Sequence, residues 1–138
     1  MAEEMSKKEK ALEQAKISAE QGLYFQAGMI AAGVGAKKEA LGYAKKVADT
    51  REGYSSAGQI AARVGAKKEA LGYAKMCADI GRYGIAGDIA ASVGAKKEAL
   101  GYAKKCAEKG NYGWAGAIAV GVGAKEIADF YKKKAKEK

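Results

Sequence analysis

The chain contains no histidine and no proline, and only two cysteines, two phenylalanines and one tryptophan in 138 residues. Each shortage excludes something. Without histidine, the commonest general base and metal ligand is missing. Without proline, helices run uninterrupted and turns fall to glycine, of which there are 19. Two cysteines, Cys77 and Cys106, cannot build a disulfide framework, and no Cys₄ or Cys₂His₂ zinc site can be assembled. The longest uncharged run, 21–36, is shorter than the roughly 20 apolar residues of a membrane span and carries four glycines. The opening Met1–Lys10 is charged and lacks the apolar core of a signal peptide. A soluble, cytoplasmic protein with no membrane partner is expected.

What is present is repetition. Val-Gly-Ala-Lys-Lys-Glu-Ala-Leu-Gly-Tyr-Ala-Lys occurs three times unchanged, at Val34–Lys45, Val64–Lys75 and Val93–Lys104, with spacings of 30 and 29 residues. A fixed period of this length is the signature of a repeat array. The rest of the period repeats too. Ala-Gly-x-Ile-Ala begins at Ala27, Ala57, Ala86 and Ala115, and each copy is preceded by a tyrosine (Tyr24, Tyr54, Tyr83, Tyr112) and followed by a glycine (Gly35, Gly65, Gly94, Gly123). Tyr43, Tyr73, Tyr102 and Tyr131 form a second series, and the two series hold all eight tyrosines. The first period is diverged, with Gln14 in place of tyrosine. The last breaks after Lys125 and runs into a basic tail, Lys132–Lys138, which reads as a polar terminal helix.

Each period divides into two helices. Over Ala36–Asp49, the residues Ala40, Leu41, Ala44, Val47 and Ala48 fall on one side at helical spacing. The second helix, about Ser55–Val64, is nearly all Ala, Gly, Ile and Val, so its backbone must come close to its neighbours. Gly65 suits the left-handed residue that ends a helix. Cys77 and Cys106 occupy the place of Val47 and Ser18 and read as packed thiols. Gly33-Val-Gly-Ala-Lys-Lys superficially resembles a phosphate loop but lacks its spacing and a preceding strand, and reads as a helix end followed by a helix start.

The turns carry Gly-x-Tyr-x-x-Ala, at Gly22–Ala27, Gly81–Ala86 and Gly110–Ala115, with one extra residue in the second repeat around Gly53 and Tyr54. With the small residues Ala44, Ala74 and Ala103 in the first helices, this resembles the helix–turn–helix junction of tetratricopeptide repeats, at a period shorter than that family's 34. The expected fold is all-α: a right-handed αα-hairpin solenoid of about four helix pairs (7–35, 36–65, 66–94, 95–123) and a C-terminal capping helix (124–138), in a single domain over 1–138.

The lysines are what packing leaves over. Lys38, Gly42, Lys45 and Asp49 lie on one line of the first helix, away from the apolar stripe. Lys68, Gly72, Lys75 and Asp79 repeat the line, as do Lys97, Gly101, Lys104 and Glu108. The resemblance implies that this face lines a concave groove, with a ladder from Lys16 through Lys45, Lys75 and Lys104 to Lys133. Lys37-Lys38 and its copies also open their helices, where a positive charge opposes the macrodipole and an anion would be favoured. The candidate ligand-binding residues are therefore Lys38, Lys45, Lys68, Lys75, Lys97 and Lys104, with no catalytic or metal-binding set and no cofactor. The expected role is a non-catalytic scaffold or adaptor that binds an acidic protein or peptide. Sequence-independent nucleic-acid binding and end-to-end self-association are the alternatives. The tyrosines read as packing residues rather than base-stacking platforms, and Trp114, at a position that varies between repeats, as a surface contact point.

Overall fold

The computed structural model describes residues 5–137. Among them the chain forms nine α-helices and one short 3₁₀ turn, with no strand. In chain order these are α1 (Lys7–Glu20), α2 (Tyr24–Gly33), α3 (Lys37–Val47), the 3₁₀ turn Arg51–Gly53, α4 (Tyr54–Arg63), α5 (Lys67–Asp79), α6 (Tyr83–Ser92), α7 (Lys96–Glu108), α8 (Tyr112–Gly121) and α9 (Lys125–Lys136). The fold is an all-α array of helical hairpins in which each helix packs against its successor, α1 on α2, α2 on α3, α3 on α4, then α6 on α7, α7 on α8 and α8 on α9.

The chain divides between Ala70 and Leu71, inside α5, into two compact units. Repeats touch only their neighbours, so an array offers no single central core around which contacts gather.

Glycine ends the helices as expected, and does so twice per repeat. After α2, Gly35 takes φ +70°, and its N–H and that of Ala36 donate to the carbonyls of Ala32 and Ala31 at 3.0 Å. This is the Schellman closure, which satisfies carbonyls the helix itself leaves open. Gly65, Gly94 and Gly123 repeat it with φ of 75°, 71° and 72°. The first helices end the same way at Gly22, Gly81 and Gly110. The exception is α3, where the longer repeat replaces the left-handed glycine with the 3₁₀ turn. There Gly53 has φ −85° and is buried. A Cβ on Gly53 would collide with the Val47 carbonyl, so glycine is required by close approach instead of by backbone sign. The extra residue in the 30-residue spacing is this turn.

The core is built of alanine. Ala15, Ala27, Ala31, Ala40, Ala44, Ala57 and Ala61 are fully buried in the first unit. Ala86, Ala90, Ala99, Ala103, Ala115 and Ala119 are their counterparts in the second. The largest fully buried side chains are Ile60, Ile118 and Cys77. With so little side chain to bury, the second helices gain contact by approaching closely. Ile60 of α4 seats on Gly28 of α2, and Ile118 of α8 seats on Gly87 of α6; a methyl on either glycine would meet the isoleucine. The second-helix pairs α2–α4 and α6–α8 accordingly pack directly, whereas the first-helix pairs α1–α3 and α7–α9 are not among the closely packed pairs.

Candidate functional site

The six candidate lysines lie where the helical spacing puts them. Lys38 and Lys45 stand in the first and last turns of α3; on the longer α7, Lys97 stands in the first turn and Lys104 just before the last. Lys68 and Lys75 belong to α5. All six are exposed. Among the described residues none of them makes an ion pair; the pairs present are Lys105–Glu108 at 3.8 Å and Lys134–Glu137 at 3.6 Å. The glycines between them, Gly42, Gly72 and Gly101, have open space where a Cβ would stand. Lys38, Lys45 and Lys68 fall in the first compact unit, and Lys75, Lys97 and Lys104 in the second. In each unit the second helices form the tight layer, so the lysines stand on the more open, first-helix layer.

The first helices begin without help from a capping side chain: Ala36, Ala95 and Ala124 hold the N-cap positions. By contrast α1 has the reciprocal arrangement in which Ser6 accepts from the Glu9 N–H and Glu9 accepts from the Ser6 N–H, at 3.1 and 3.3 Å. Elsewhere Glu39, Glu69, Glu98 and Glu126 offset the neighbouring lysines in the first turn.

The sequence underrated α9. Its 29-residue register with α7 places Asp129 where Leu100 packs, and Lys132 where Ala103 is buried. That is the polar face a terminal helix needs. The same register sets Ile127 on the position of Glu98, and Phe130 on that of Gly101. These two are 40% and 49% exposed. They line a cleft of about 530 Å³ between α7 and α9, together with Lys104, Ala107, Glu108, Tyr112, Glu126, Tyr131 and Lys134. The helix read as a polar cap is thus apolar on the side toward α7. The signal was in the sequence, as two departures from the repeat in the direction opposite to solubility.

Trp114 is only partly a surface residue. Its indole lies over Gly84, its Nε1–H donates to Asp88 Oδ2 at 3.2 Å, and its backbone N–H donates to Asn111 Oδ1 at 3.3 Å. The residue varies between repeats because it fills a joint whose partner position varies as well. A second cleft beside it, about 320 Å³, is rimmed by Arg82, Tyr83, Lys109 and Cys106, with the Lys109 ammonium 5.8 Å from the centre of the Tyr83 ring. Burial raises the Asp88 carboxyl above its ordinary range, against the opposing effect of the Trp114 hydrogen bond.

Both thiols are buried and unpaired, as the sequence implied. Burial raises Cys77 despite nearby Arg82, and raises Cys106 with a further push from Asp88. Such thiols are held in the unreactive, protonated form. Burial likewise raises the phenols of Tyr102 and Tyr131, each with help from neighbouring negative groups. Both rings pack against core alanines, which is the packing role expected of the second tyrosine series. Among the described residues no cluster of acidic, histidine or cysteine side chains has the makings of a metal site, and no helix is long and apolar enough to cross a membrane.

Comparison of the chain with protein-family models, with curated proteins and with solved structures returns no match. The helical-repeat arrangement stands on the structure, and the tetratricopeptide label remains a resemblance in the turns.

Proposed function

We propose that the protein is a non-catalytic scaffold whose first-helix layer binds an acidic polypeptide segment. The carrying observation is the repetition of exposed, unpaired lysines on α3, α5 and α7 beside glycines that leave the backbone open to approach. Asp49, Asp79 and Glu108 stand four residues after Lys45, Lys75 and Lys104, a spacing that suits an ion pair, yet among the described residues none of the three lysines forms one, in contrast to Lys105 and Lys134. The charge balance favours an anionic partner, with 25 basic against 16 acidic residues and a net charge of +9. A tetratricopeptide-like scaffold is the finer form of this reading, and it rests on the Gly-x-Tyr-x-x-Ala turns.

Replacing Lys45, Lys75 and Lys104 together by Ala should leave the helical circular dichroism unchanged and weaken binding of a labelled poly-glutamate peptide at least tenfold in an anisotropy titration. Unchanged affinity would reduce these lysines to a solvated face. Nucleic acid is the competing anion. A single-stranded oligonucleotide that binds tighter than poly-glutamate at ~50 mM salt, where non-specific binding is strong, would transfer the proposal to nucleic acid.

A further inference from the structure

The C-terminal helix departs from the repeat in two opposite senses at once. On the face that would meet a following repeat it turns polar, through Asp129 and Lys132. The Lys132 stem also lies over Gly116, with its Cγ 3.6 Å from where a Cβ would stand. On the face toward α7 it turns apolar, through Ile127 and Phe130. A helix needed only to end the array in water has no use for the second change. It places about half of a phenylalanine surface in solvent beside an open cleft large enough for a bulky side chain.

The charges around the cleft indicate what enters it. Lys104 lines it without an ion pair, and Lys133, three residues beyond Phe130, is exposed and unpaired. Glu108 is engaged by Lys105, and Glu137 by Lys134. Glu126 lies in the first turn of α9, at the positive end of that helix and away from Lys133 along it. The second unit as a whole has 13 basic against 7 acidic residues, a net charge of +6.

We propose that the α7–α9 cleft is an anchor site for one large apolar side chain, Phe, Trp or Leu, of a partner polypeptide whose flanking residues are acidic. The apolar side chain lies against Ile127 and Phe130, and the flanking carboxylates face Lys104 and Lys133. This rests on the reading of the lysine layer as a surface for acidic segments, and adds to it the chemistry that fixes the register of the segment.

The test uses two labelled peptides of identical acidic flanks, one with a central Phe and one with Ala, titrated by anisotropy against the full chain. The Phe peptide should bind the wild-type protein about tenfold more tightly. That advantage should vanish in the charge-neutral variant Ile127→Ala/Phe130→Ala, while the affinity for the Ala peptide stays as it was. Ile127→Ala alone, the milder change, should lose part of the advantage, and circular dichroism checks that both variants stay helical. Equal affinity of the wild-type protein for the two peptides, with binding still lost on replacing Lys45, Lys75 and Lys104, overturns the anchor site and leaves the acidic-segment reading intact. No binding of either peptide at ~50 mM salt overturns both.

Discussion

The cleft between α7 and α9 has a counterpart in sequence on α1 and α3, and the two differ at few places. Lys16, Ala19, Glu20 and Tyr24 stand for Lys104, Ala107, Glu108 and Tyr112, while Tyr43 and Lys46 stand for Tyr131 and Lys134. The differences are Lys38 for Glu126, Glu39 for Ile127 and Gly42 for Phe130. One frame of alanine, tyrosine and lysine therefore carries either a charged, open surface or an apolar pocket. The frame is what the fold requires, and the three variable positions are where a preference for ligands can be written without touching the core.

The largest way to break this comparison is to disable the frame on one side only. Gly53→Ala forces a methyl against the Val47 carbonyl, which has no flexible side chain to yield. A loss of about 3 kcal/mol is expected, the upper end of ordinary overpacking, read from urea unfolding followed by circular dichroism. Gly81 does not share this constraint, since its Cβ position meets nothing within 4 Å and its demand is a positive φ, as it is for Gly110.

A transplant sharpens the comparison. Glu39→Ile with Gly42→Phe gives the first unit the apolar pair of the last. If those two positions decide, the variant should bind two Phe-centred acidic peptides where the wild type binds one, the new site gaining about 1.4 kcal/mol over the Ala-centred peptide. Isothermal titration gives the stoichiometry, and a value that stays at one would show that Lys38 in place of Glu126 also matters.

The smallest effect is Gly42→Ala. Gly42 is helical, exposed and free of neighbours. Alanine there should stabilise by about 0.5–1 kcal/mol, because the unfolded chain loses freedom and the native backbone is unstrained. Thermal unfolding detects it as a rise of a few degrees. Peptide affinity that falls alongside would mean that the bare backbone at Gly42 is itself in contact with the ligand.

Much of this architecture was legible beforehand. The period placed each helix to within a residue or two, because in a proline-free chain glycine has to close both helices of a repeat. Helix type followed from the spacing of Ala40, Leu41, Ala44 and Val47. Burial of Cys77 and Cys106 followed from sharing a position with Ser18 and Val47. What escaped reading depends on contacts between repeats. That Ile60 seats on Gly28 is invisible within either period alone, and so is the match of Trp114 to Gly84. The apolar side of α9 escaped for another reason. Its lysine-rich composition pointed to a solvated end, and only position-by-position register with α7 exposes Ile127 and Phe130. The lysines were found where spacing put them. That the second helices pack more closely than the first was not read, because which pair of helices closes up depends on backbone approach between repeats.

The joints themselves have a consequence for assembly. Ile60 on Gly28 and Ile118 on Gly87 are the same key in the same lock. A chain whose locks are alike can close on the wrong partner during folding with little loss in contact energy, a hazard of repeat proteins. Trp114 breaks that degeneracy. Its indole needs a glycine in the second position of the preceding repeat's second helix, which Gly84 of α6 supplies, whereas Phe25 and Ser55 hold that position in the earlier repeats. The single tryptophan acts as an address label, steering the last hairpin to its own neighbour.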